Sequence, residues 1–433
     1  MRRHALLALA CAGAFSAAPA LAQEDYGFDA AQFEKKPFEL GGYAELALER
    51  FALNREAALY GLNFFDQGSR EDFDRGTGAV QLEGLYRRGI ASLRFLGHAS
   101  RAHDYTGSDD DTRLYEGYLS LQPNDRTTLD LGKKVMRWGK GYAWNPAGFV
   151  ERPKDPNDPE LSREGHTMLA GDFVRSLDGP LKTVAFTPLV VPTGGGLNDD
   201  FGAGAHANPA ARLYLLYRDT DIDFMLLGAG SRSARYGFDF ARNLTTNFEI
   251  HGEWARITEA ERPVADAAGD ITRVRERADS YLLGLRHLSE RDTTTILEYY
   301  FNGAGYTEDE MRVFFTLAHD TYAQYQATGN AAQLARLRAT VLPAYARPNP
   351  MRRYLYLRVS QKEPFDILYF TPAVTAIANA DDRSYSVAPE LLYTGVTNLE
   401  LRLRVFFLSG DRLTDFGEKQ NDRRVEFRVR YFF

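Results

Sequence analysis

The chain has one cysteine, Cys11, and it lies in a stretch expected to be cleaved away. The mature chain can therefore form no disulfide, thiolate metal site, CxxCH haem attachment or cysteine nucleophile. After the amino-terminal segment no stretch reaches 18 consecutive apolar residues, so no segment reads as a transmembrane helix. G-x-S-x-G, H-E-x-x-H and Gly-rich phosphate motifs are also missing. Without Arg2 and Arg3, 50 Lys+Arg stand against 59 Asp+Glu, a formal charge of about −9. That acidic balance predicts no nucleic-acid partner.

The first residues read as an export signal. Arg2, Arg3 and His4 form a basic start, residues 5–18 are apolar or small, and Pro19 breaks the run. Ala20, Leu21 and Ala22 then make an A-x-A cleavage site before Gln23. A secretory signal peptide over 1–22 is predicted. A lipoprotein signal at Cys11 fits less well, because Leu9 is poorly placed for a lipid-attachment box and the apolar run continues past the cysteine. Residues 23–36 read as a short polar periplasmic segment.

From residue 37 onward, apolar and polar residues alternate almost without pause. Clear runs are 38–49, 80–87, 90–98, 113–121, 211–218, 246–255, 352–360 and 398–408. A period of two puts the two sets on opposite faces of a strand. A large secreted soluble enzyme is the plain alternative, and 44% hydrophobic with 26% charged residues would suit it. The connections argue otherwise. Short polar turns fall at 87–89, 122–125, 177–180, 219–221, 243–246, 289–292, 361–364 and 394–398. Between them lie mostly longer connections, 55–76, 100–111, 138–168, 192–209, 259–277, 303–350 and 410–420. That sorting is expected of a membrane barrel with periplasmic turns and extracellular loops. The 24 Tyr and 28 Phe would supply its aromatic girdles.

The predicted fold is therefore all-β: a transmembrane antiparallel up-and-down β-barrel over 37–433. About 18 strands are expected, with 16 as the alternative because 168–177 and 180–191 are the weakest strands. Within 303–350, Thr307 followed by Glu308, Asp309 and Glu310 predicts a capped helix reaching Thr328, stopped by Gly329. Asn330 could cap a second helix before Pro343, Pro348 and Pro350. This segment folds over the mouth as a lid or plug, or forms an elaborated surface loop; the surface loop is preferred.

Residues 423–433 read RRVEFRVRYFF. Val425, Phe427, Val429, Tyr431 and Phe433 share one face, and Arg424, Glu426, Arg428 and Arg430 the other. The pattern resembles the last strand of a bacterial outer-membrane barrel, apolar toward lipid and charged toward the lumen. Parity extends the charged wall to Glu400, Arg402, Arg404 and Phe406, and to Tyr354, Tyr356 and Arg358. Closure would bring Glu39, Tyr43, Glu45 and Glu49 of the first strand beside them, with Gln81, Glu83, Arg87, Arg94 and His98 beyond. The wall is then either a cationic ladder guiding an anionic solute, or an ion-paired lining in which Arg and Glu satisfy each other.

A second candidate is 133–165, which carries Trp138, Trp144, Tyr142, Phe149 and four prolines. Loops this long are usually functional or disordered. Folded inward it could constrict the pore, with Trp138, Tyr142 and Trp144 as a stacking surface and Lys134, Arg137 and Lys140 as anion contacts. Otherwise its tryptophans belong to the outer girdle. His251, Glu253 and Glu249 share a face and could mimic a general acid–base pair, although wall histidines opposite carboxylates are more often hydrogen-bonded lining. Acidic runs at 109–111 and 155–160 could hold Ca²⁺; a solvated loop face is the simpler reading, and no metal site is expected.

The segment LDLGKKVMRWGKG, with GEKQNDRRVEFRVRYFF, resembles Gram-negative porin-like and alginate-export-like barrels. That resemblance implies an outer-membrane location and passage of a small or polymeric solute through the lumen. It implies no cofactor and no enzymatic activity. Expected partners are outer-membrane lipid and a small-molecule or polysaccharide solute, with a periplasmic partner left open. A structural sleeve around such a partner, for instance in an electron conduit, is the alternative, and an outer-membrane hydrolase a third.

Overall fold

The computed structural model describes residues 37–433, so the expected signal peptide and the segment 23–36 lie outside the described residues. Eighteen strands form one closed sheet. They are β1 (Phe38–Leu53), β2 (Asp72–Arg88), β3 (Ala91–Asp104), β4 (Gly107–Asn124), β5 (Thr127–Lys134) and β6 (His166–Ser176). Next come β7 (Leu181–Val190), β8 (Pro209–Tyr217), β9 (Thr220–Leu227), β10 (Arg235–Thr245), β11 (Phe248–Ala265) and β12 (Ile271–Leu288). The last are β13 (Thr293–Phe301), β14 (Arg353–Gln361), β15 (Phe370–Asn379), β16 (Tyr385–Val396), β17 (Leu399–Ser409) and β18 (Asn421–Phe432). Each strand pairs antiparallel with the next, and β18 closes on β1 with Glu45 opposite Arg430 and Glu49 opposite Glu426. Closure leaves no unpaired edge, the condition for a sheet to sit in lipid.

Parity sorts the side chains as the period of two requires. Leu46, Leu48, Leu82, Leu93, Leu355, Leu357, Leu403 and Phe427 point out of the barrel and stay exposed. Exposed tyrosines flank this apolar band at both ends. Tyr86, Tyr217, Tyr393 and Tyr431 lie toward the short turns, and Tyr236, Tyr281 and Tyr385 toward the long loops. Two aromatic girdles around an apolar belt match a bilayer and its two interfaces.

Two expected loops are strands instead. Segments 100–111 and 259–277 are the arms of the β3–β4 and β11–β12 hairpins, which run on past the apolar band. Outside lipid a ribbon is polar on both faces, so the hydropathy alternation vanishes while the strand continues. Cross-strand ion pairs zip these arms: Arg101–Asp110 at 3.3 Å, Glu261 with Arg273 at 2.6 Å and Arg275 at 2.8 Å, and Arg262–Glu276 at 2.5 Å. The 361–364 turn is also longer than expected. Residues 362–369 loop out with positive φ at Glu363, Phe365, Asp366 and Tyr369.

The long β13–β14 connection carries α2 (Glu308–Thr328), α3 (Ala332–Thr340) and α4 (Leu342–Tyr345). The Thr307 hydroxyl accepts the Glu310 N–H at 3.2 Å, and the Glu310 carboxylate accepts the Thr307 N–H at 2.8 Å. Gly329 ends α2 at φ 72°, a conformation costly for other residues. The helix is not surface decoration, as its overall polarity suggested. Met311, Phe314, Phe315 and Ala318 form a buried stripe at i, i+3, i+4 and i+7. The Phe314 and Tyr345 rings stack at 4.0 Å, as do Tyr306 and Tyr345. The same core takes in α1 (Ala58–Phe64), the wall tyrosines Tyr354 and Tyr356, and Trp144. The helices therefore close over the long-loop end of the barrel. His319–Glu418 at 3.0 Å and Arg338–Asp66 at 2.8 Å tie them to neighbouring loops. Thr307→Ala should cost about 1 kcal/mol of local helix stability, seen as faster amide exchange over 308–312 with the strands unchanged.

Candidate functional site

The strand lengths themselves put a segment inside the lumen. β5 stops at Lys134, whereas β4 continues from Gly117, opposite Lys133, up to Gly107. The chain leaves the wall there and returns at His166, so residues 135–165 cross the interior as a loop.

Wall carboxylates fix this loop through its backbone. Glu116 on β4 accepts the Val135 N–H at 3.0 Å. Glu253 on β11 accepts Gly141 N–H at 2.6 Å and Ala147 N–H at 3.1 Å. Glu298 on β13 accepts the N–H groups of Tyr142 and of Ala143, the latter at 2.9 Å, and also faces His251 Nε2 at 2.9 Å. A carboxylate meeting two backbone donors in a buried site makes strong, charge-assisted bonds. Glycine is needed at 139, where φ is 90° and a Cβ would lie 2.7 Å from the Glu253 carboxylate. The loop also braces itself: Glu151 accepts Trp138 N–H at 3.0 Å and pairs with Arg163 at 2.7 Å.

The far side of the loop meets the arginine wall. Asp158 lies 3.3 Å from Arg428, 3.5 Å from Arg402 and 3.8 Å from Arg404. Arg404 also donates to the Asn157 carbonyl at 3.2 Å and pairs with Glu390 at 2.6 Å. Arg358 shares Glu390 at 2.9 Å. Arg430 pairs with Glu45 at 2.6 Å, Arg424 with Glu49 at 3.3 Å, Arg402 with Glu400 at 3.3 Å, and Arg428 with Glu426 at 3.0 Å. Six guanidiniums thus meet six carboxylates. The wall is a neutral lattice, the second of the two arrangements considered from sequence, and the loop's Asp158 completes it.

Several expected contacts lie elsewhere. Trp138 is 2% exposed and packs with Met136, Phe149, Met168 and Leu227 against the β6–β11 wall. Trp144 is 7% exposed, stacked on Tyr300 at 5.1 Å and held by Asn349 at 3.3 Å. The expected stacking surface is consumed by packing, because an inward loop must bury its own apolar residues against the wall. Tyr142 packs near Tyr356 and donates to Glu160 at 3.1 Å. Tyr354 and Tyr356 face inward but are wholly covered by the loop and the helical cap. Lys134 pairs with Asp130, and Lys140 with Asp223 at 3.0 Å. Among the six loop candidates only Arg137 is exposed to the lumen without an ion pair among the described residues. His251 and Glu253, considered as an acid–base pair, are both engaged in holding the loop.

Two cavities flank the loop. One, about 530 Å³, lies toward β2–β4 and is lined by Glu83, Arg94, Arg137, Lys154 and Arg163 among others. The other, about 740 Å³, lies toward β6–β10 and is lined by Lys154, His166, Arg232, Arg235 and Asp200 among others. Lys154 borders both. It donates to the Gly141 carbonyl and has no carboxylate partner among the described residues, and burial lowers its pKa. Sequence reasoning missed Glu298, Glu390 and Lys154, and read Asp158 only as part of the solvated acidic run 155–160, whereas it meets three wall arginines. Inward parity could have found Glu298 and Glu390; the two loop residues carry no periodic signal.

No protein-family profile matches the chain, and no curated protein sequence matches it. Solved structures do. The chain is similar to Pseudomonas aeruginosa OccK11 (OpdR), with a TM-score of 0.50 and 12% identity over 91% of this chain and 95% of that one. It is similar also to Pseudomonas aeruginosa OccK5 (OpdH), with a TM-score of 0.50 and 10% identity over 91% of this chain and 97% of that one. The fold is that of an outer-membrane porin-like barrel. At such identity the likeness is one of architecture, so the site must be argued from its own residues.

Proposed function

We propose that the protein is an outer-membrane channel that passes small, anionic solutes past the loop 135–165. The carrying observation is the loop itself, fixed inside the lumen by Glu116, Glu253, Glu298 and the Asp158 clamp, with charged cavities on both sides. A sealed structural barrel would have no reason to keep unpaired cations in its interior; Arg137 and Lys154 sit in those cavities. The small cavity sizes favour small solutes over a polymer. A sleeve around a periplasmic partner would need the space this loop fills, and a hydrolase would need the side chains that Glu253 and His251 commit to the loop.

The test is planar-bilayer recording of refolded protein. Discrete conductance steps with a reversal potential shifted toward the anion are expected in a salt gradient. Arg137→Gln should lower the anion-to-cation permeability ratio roughly fourfold, about twofold for each ion, the effect of one unit charge about 10 Å from the ion path in water. No conductance, even with 138–168 and 303–350 deleted, would defeat the channel reading. Stoichiometric co-purification with a haem protein would favour the sleeve instead.

A further inference from the structure

The cavity toward β6–β10 holds polar groups that the barrel does not use. Arg235, at the start of β10, has no hydrogen bond or ion pair among the described residues, and its Nε is buried. His166, at the start of β6, is 1% exposed, and neither ring nitrogen has a hydrogen-bond partner among the described residues. Arg232 is oriented by main-chain carbonyls: it donates to Phe201, to Phe149 at 3.3 Å and to Asp200 at 3.5 Å. Its guanidinium lies 3.9 Å from the centre of the Phe201 ring. Burial, and then the Arg235 charge, push the Arg232 pKa down to about 10. The two arginines line the same cavity, where like charges repel. The two acids on the same cavity are already taken, Asp200 by Arg152 and Glu151 by Arg163.

Burying unpaired charge is costly, and so is leaving a buried donor without an acceptor. A group with several negatively charged oxygens would relieve both costs. Guanidinium forks match carboxylate and phosphate geometry, and an imidazole N–H adds one more donor.

We propose that this cavity is a binding station for the oxyanion group of a solute, held by Arg232, Arg235, Lys154 and His166. The station deepens the channel reading and rests on it. It lies across the lumen from the arginine wall of β14–β18, whose charges are internally paired. Since Lys154 borders both cavities, an anion bound here has a second cationic contact on its way past the loop.

Binding can be measured without conduction. Detergent-solubilised full-length protein is titrated calorimetrically with acetate and, separately, with inorganic phosphate. Saturable binding of at least one is expected; acetate alone assigns a carboxylate, phosphate alone a phosphate. Arg235→Gln should weaken it at least tenfold, and Arg235→Lys only a few-fold, since it keeps the charge. Arg101→Gln, on the distant β3–β4 hairpin, should leave binding unchanged. No saturable binding of either anion would overturn the station. So would parental binding in both Arg235→Gln and the Arg232→Gln/Arg235→Gln pair, with circular dichroism matching the parent. Loss of conductance with binding intact would instead count against the channel reading and leave the binding site standing.

Discussion

Replacing both Glu253 and Glu298 by alanine is expected to raise single-channel conductance severalfold and to make the open state noisy. The two carboxylates accept four loop N–H groups, those of Gly141, Ala147, Tyr142 and Ala143. Glu298 also takes the His251 ring. A buried donor left without its acceptor costs about 1–3 kcal/mol. Four such losses come to about 4–12 kcal/mol, a range that spans the ~5.5 kcal/mol separating a 99:1 population from its inverse. The loop should therefore leave its inward position for much of the time, while the closed sheet keeps its own hydrogen bonds. Two measurements check this. Bilayer traces should show larger and fluctuating currents, and limited proteolysis should begin to cut within 135–165. Glu298→Gln retains one acceptor oxygen and should fall between parent and alanine. A double variant with parental conductance and protease resistance would mean that the loop is held by packing of Trp138 and Phe149 alone.

The same site shows how far the sequence could be read. Strand existence, strand number and the direction of the wall residues come from a period of two, which needs only local order. Arg402, Arg404, Arg428 and Arg430 therefore face inward as their parity requires. Their partners are not set by parity, because they come from distant parts of the chain: Glu45 from β1, Glu390 from β16, and Asp158 from the inward loop. Glu253 shows a second limit. Its binding partners are backbone N–H groups, which every non-proline residue carries, so no side-chain motif marks the contact and a nearby histidine invites a catalytic reading. Trp138 shows a third. An aromatic residue in a loop reads equally as girdle, stacking surface or core, and only the path of the loop decides. The cap over the mouth was hidden for a related reason. Its apolar stripe is one residue in two or fewer, averaged away by Glu308, Asp309, Arg312 and Asp320 on the other faces.

Asp158→Asn should shift the channel toward anions, and the shift should fade with salt. Arg402 and Arg428 stand directly opposite each other across β17 and β18. Like charges so placed repel, and Asp158, 3.3 Å from Arg428 and 3.5 Å from Arg402, offsets that repulsion. Asparagine keeps the shape and removes the charge. The wall then carries one uncompensated cation beside the passage. One unit charge about 10 Å from a permeating ion amounts to about 0.4 kcal/mol in water, roughly twofold for either ion and, since anion and cation shift in opposite senses, roughly fourfold in their permeability ratio. At 0.1 M salt the Debye length is about 10 Å and the shift should be visible; at 1 M it is about 3 Å and the shift should vanish. Pairing the substitution with Arg428→Gln restores the balance and should return the reversal potential toward the parent. Arg428→Gln alone should shift it the opposite way, so the return is the sum of two opposed charge changes. A shift that persists at 1 M would point to a change in loop position. No shift at either concentration would place the ion path away from the arginine wall, on the side where Arg235 and His166 stand.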